Sequence, residues 1–107
     1  MTVTLNVDPG ACRIPTKIRA VQDENLVRLD IESECPMVKA MAEKLKVIDM
    51  MDCLVTPITE NPIMIVAGET LKHASCPVPL AIIKAAEACC DMAVKKDVIL
   101  TYSDSSI

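Results

Sequence analysis

The sequence predicts a small α+β protein: a mainly antiparallel sheet of three N-terminal strands and one C-terminal strand, with helices packed on one face. Three observations lead there. The N-terminal part alternates apolar and polar residues over three short segments, two Cys-Pro dipeptides are each followed by apolar residues at helical spacing, and a β-branched apolar run returns near the C-terminus. The order of strand, hairpin, helices and strand contains no long-period repeat, so one domain over residues 1–107 is expected.

Val3, Leu5 and Val7 share one face of a first strand over Thr2 to Asp8, which Pro9-Gly10 ends in a turn. Cys12 follows in the loop. Lys17 to Gln22 forms a second strand, Asp23-Glu24-Asn25 supplies turn chemistry, and Val27, Leu29 and Ile31 alternate with Arg28, Asp30 and Glu32 in a third. That strand leads directly to Cys35.

Pro36 opens a helix to about Lys46 that buries Val38, Met41, Ala42 and Leu45 and leaves Lys39, Glu43, Lys44 and Lys46 in water. The methionines at helical spacing read as core filler. Val47 to Thr56, with Cys53, fits either a short helix capped by Asp49 or a brief strand. Asn61 and Pro62 form a good N-cap and first helical residue for a helix toward Lys72, although the β-branched residues from Ile63 to Val66 also suit a strand. Leu80 to about Ala93 is strongly helical, Val98 to Tyr102 reads as the closing strand, and Ser103 to Ile107 as a frayed tail.

Composition narrows the function. With a net charge of −4, no Trp or Phe and Tyr102 as the sole aromatic residue, the chain offers no basic, stacking surface for nucleic acid. No apolar run approaches the ~18 residues of a membrane span, and no early segment resembles a signal peptide, so a cytoplasmic location is expected. Six cysteines in that compartment point to thiols or metal ligands in preference to disulfides.

The cysteines are not equivalent. Cys89 and Cys90 lie within an amphipathic helix, where cysteine acts as a small hydrophobe. Cys35-Pro36 and Cys76-Pro77 each place a cysteine at an expected helix N-cap, because proline at the first helical position lacks an N–H that would be unpaired there anyway. A sulfur so placed faces the positive end of the helix dipole, which favours the thiolate. His73, the only histidine, lies three residues before Cys76 and can join it as a ligand or serve as a helix-end hydrogen-bonding group. No C-x-x-C pair is present, so any metal site must be assembled from distant segments.

These residues are similar in order to the U-type iron–sulfur cluster assembly scaffolds. The resemblance rests on Pro9-Gly10-Ala11-Cys12, the hairpin through Ile31, Cys35, His73 with Cys76, and Ala81-Ile82-Ile83-Lys84-Ala85-Ala86, and it extends from Val7 to Ala93. The chain differs at Arg13-Ile14, where that family has an aspartate, and its His73 and Cys76 are not adjacent. The segment from His73 through Asp97-Val98-Ile99 also resembles a group of small uncharacterised prokaryotic proteins.

The resulting expectation is a metal or iron–sulfur cluster binding protein with Cys12, Cys35 and Cys76 as ligands and His73 or Cys53 completing the shell; zinc suits the same donors. Two alternatives stand beside it: a thiol redox enzyme using Cys76, and a structural or oligomerising module with buried cysteines. A protein partner or a second copy is expected, and neither nucleic acid nor membrane.

Overall fold

Alternating side chains make a sheet with one dry face and one wet face. In the computed structural model, which describes residues 1–104, β1 (Thr2–Val7), β2 (Thr16–Asp23) and β3 (Leu26–Ser33) form an antiparallel meander. Val3, Ala20 and Leu29 make one cross-strand row of the inner face, and Leu5, Ile18 and Ile31 make the next. The outer face is polar, with Arg19 opposite Asp30 and Lys17 opposite Glu32, pairings that favour this register over a one-residue slip.

The α+β class is as expected, but the fourth strand is not the C-terminal one. The sheet order is β1-β2-β3-β4, and β4 (Val47–Asp49) occupies the fourth place by setting Ile48 opposite Val27. Residues 98–102 form no strand. Their β-branched composition describes fitness for a sheet without naming the edge to be joined.

The ambiguous stretch from Val47 contains both readings in succession. After β4 comes α2 (Met50–Leu54), whose cap Asp49 accepts hydrogen bonds from the Met51 and Asp52 N–H groups at 3.0 and 3.2 Å. Asn61 caps α3 (Pro62–Thr70) by accepting from the Ile63 N–H at 2.9 Å, and its Nδ2 donates to the Cys53 carbonyl at 2.6 Å. One buried side chain thereby joins the end of α2 to the start of α3.

α1 (Pro36–Lys44) begins as expected, with Cys35 at the N-cap and Pro36 at the first position, and ends before Leu45 and Lys46. α4 (Val78–Cys89) corrects its expected limits at both ends. The Cys76 N–H donates to the His73 carbonyl at 3.1 Å, so Cys76 belongs to a tight turn and Pro77 takes the N-cap place. At the other end Asp91 adopts the left-handed conformation, with φ of 58°, and stops the helix short of Ala93. α4 packs on β1 and β2, and α1 on β3. Together they bury Ile18, Val27, Met41 and Ile82 between the layers. The frayed tail expected from Ser103 falls outside the described residues beyond Asp104.

Candidate functional site

Strand direction brings the first two candidate cysteines to one end of the sheet. β1 ends, β2 begins and β3 ends there, in the row Val7, Thr16 and Ser33. Cys12 lies in the turn between β1 and β2, and Cys35 follows β3 immediately.

The Cys12 turn is a short 3₁₀ segment (Gly10–Cys12). Gly10 has a φ of +75°, a conformation that costs glycine little, and Asp8 Oδ1 accepts its N–H at 3.0 Å. Arg13, also left-handed, closes the turn by donating its N–H to the Gly10 carbonyl at 3.0 Å. Cys12 is left exposed. Cys35 is buried, and its N–H donates to Ser33 Oγ at 3.2 Å.

The link between α3 and α4 returns to this end. It brings His73, exposed, and Cys76, half-buried, to a cavity of about 350 Å³ that Cys12 and Cys35 also line. Three thiols and the single imidazole, drawn from three separated parts of the chain, thus face one space. His73 and Cys76 also border a second cavity of about 270 Å³, lined by Met64, Leu71 and Leu80, so their turn is a wall between two hollows.

Thr16 also lines the first cavity. It is 3% exposed, and its Oγ1 is a buried side-chain oxygen with no hydrogen-bond partner. A hydroxyl left unpaired in the interior carries a desolvation cost of about 1–3 kcal/mol. The sequence reading missed it by starting the strand at Lys17, although Thr16 has the same alternation phase as Ile18 and Ala20. A threonine in the phase of the apolar face was the available signal.

The other cysteines lie elsewhere. Cys53, expected as a possible fourth ligand, is buried in α2 and does not line the cavity. Burial, followed by the charges of Asp52 and Asp49, pushes its thiol up to about 11. Cys89 is pushed up to about 11 by burial and then by the neighbouring Cys90 thiol. Its Sγ lies 3.3 Å from the Ala86 carbonyl and 3.9 Å from Cys90 Sγ.

Among the described residues, no group of three or more His, Cys, Asp or Glu side chains is placed so that it could hold a metal ion. The four donors share the cavity without forming a coordination shell. Among those residues, too, no helix is long and apolar enough to cross a membrane.

Residues 3–102 match a family of unknown function, DUF6951. The chain belongs to that family. The match includes all four cavity donors and runs on past α4 to Tyr102. No curated protein and no solved structure matches the chain.

Proposed function

We propose that this protein binds a thiophilic metal centre, zinc or an iron–sulfur cluster, through Cys12, Cys35 and Cys76 with His73 as the fourth donor. One observation carries the reading: a single cavity gathers these four side chains from the β1–β2 turn, the end of β3 and the α3–α4 link. Three thiolates and an imidazole match the ligand chemistry of zinc and of iron–sulfur centres. The first turn of α1 lies beside Cys35, where its dipole offsets the negative charge of a thiolate-ligated centre. Thr16 supplies an unused hydroxyl that can donate to a ligand sulfur, the kind of outer contact that orients metal ligands.

Cys12 is exposed, so one side of the centre would face solvent. That suits a cluster or ion held as cargo, in the manner of the U-type scaffolds that the chain resembles, better than a sealed structural ion. When bound, the group supplies electron transfer or cluster sulfur if it is iron–sulfur, and charge alone if it is zinc. The chain's own residues hold it and screen it on the side of Cys35 and Val38, which are buried.

The test is anaerobic reconstitution with zinc, and separately with iron and sulfide, followed by elemental analysis and visible absorption. One centre per chain is expected. Cys12→Ser, Cys35→Ser and Cys76→Ser should each lower occupancy at least tenfold, whereas Cys53→Ser should leave it unchanged. A folded protein that takes up neither metal would overturn the reading.

A further inference from the structure

The segment after α4 carries apolar side chains that stay largely exposed among the described residues. Val94 is 86% exposed, Ile99 79%, Leu100 87% and Tyr102 fully exposed, and the family match includes all of them. Exposed apolar residues concentrated in this way mark an interaction site. Residues 98–102 read Val-Ile-Leu-Thr-Tyr, without charge, Pro or Gly, and Val98, Ile99, Thr101 and Tyr102 favour a strand.

The sheet has a matching vacancy. Its outer strand β1 pairs only with β2 among the described residues, and it reads Thr-Val-Thr-Leu-Asn-Val over six residues. Exposed edges are normally blunted by a charge, a proline, a bulge or a very short strand. β1 has no charge or proline and is not short. The opposite edge, β4, is only three residues long.

The geometry points to residues 98–102 adding as a strand to the β1 edge of a second copy of this chain, with each copy giving one tail and receiving one. A tethered segment has an effective concentration in the ~mM range for any edge of its own domain within reach. Residues 98–102 nevertheless form no strand on the β1 edge of their own chain, which favours a partner's edge over their own. Reciprocal exchange closes the assembly as a two-fold dimer. In a strand Val98, Leu100 and Tyr102 share one face; at ~60–120 Å² for each large apolar side chain removed from water, those three side chains of two tails, with a like area on the receiving edges, bury ~700–1,400 Å². The upper part of that range reaches the size of a stable interface.

Light scattering after gel filtration, over a range of concentrations, should show a particle of about twice the 11.6 kDa chain mass. Leu100→Asp and Ile99→Pro, both at exposed positions, should keep the far-UV spectrum and weaken dimerisation at least tenfold. Amide exchange at residues 98–102 and along β1 should slow at least tenfold in the dimer, and return to fast exchange together on dilution. The proposal falls if the full chain is monomeric up to the mM range, or if the dimer survives both substitutions. It falls equally if tail protection does not depend on concentration, the signature of a tail bound to its own edge.

Discussion

Thr16 and Asn61 are the two buried polar side chains of the described core, and they differ in how they are satisfied. Asn61 uses both ends of its amide, accepting from the Ile63 N–H and donating to the Cys53 carbonyl, so its burial is compensated. Thr16 Oγ1 has no partner. Replacing it with valine keeps the shape and removes the uncompensated hydroxyl, so Thr16→Val should raise stability by about 1 kcal/mol in urea unfolding of the metal-free protein. The same variant should bind zinc more weakly if the hydroxyl orients a ligand sulfur. A gain in stability joined to a loss of affinity would separate a residue kept for binding from one kept for packing.

α4 is built for close approach to the sheet. Ala81, Ala85 and Ala86 are buried beside Ile82, and the helix lies across β1 and β2. Small side chains let the helix axis come near the strands, so added volume there has nowhere to go. Ala85→Leu should destabilise the fold by about 1–3 kcal/mol, read as a lower urea midpoint with an unchanged slope. Helix starts are less alike than their sequences. Cys35-Pro36 opens α1 in the expected way, whereas Cys76-Pro77 leads into a helix whose cap is Pro77, because the turn from His73 takes up the Cys76 N–H. This places Cys76 on a cavity wall beside His73 instead of over the first turn of α4.

For the molecule as a whole, the alkaline limit of stability follows from the two interior thiols. Cys53 and Cys89 have ordinary values of 9.0 that burial raises to about 11. Above pH 9 the unfolded chain therefore releases protons that the folded chain retains, and stability falls as pH rises. The contribution is fully present below pH 9 and is lost between about pH 9 and 11. Urea midpoints should decline across that window, and Cys53→Ala should flatten the decline. Thiol labelling at neutral pH should modify Cys12 first and leave Cys53 and Cys89 slow, since access and ionisation both disfavour the buried pair.

Period and punctuation in the sequence were sufficient for much of the N-terminal local structure. Alternation at Val3 to Val7 and Val27 to Ile31, the Asn61-Pro62 cap and the Cys35-Pro36 start all follow from sterics and hydrogen bonding within a few residues, and all appear where expected. Strand order already implied that Cys12 and Cys35 share a sheet end, since an antiparallel hairpin returns the chain to where it began. Only the tertiary structure could decide that the α3–α4 link brings His73 and Cys76 to that same end, that Cys53 lies away from the cavity, and that β4 takes the fourth place in the sheet while residues 98–102 stay unpaired. Those outcomes depend on contacts between segments far apart in the chain. Local propensity can make a segment ready for a helix or a strand, but the partner it meets is set by the packing of the whole.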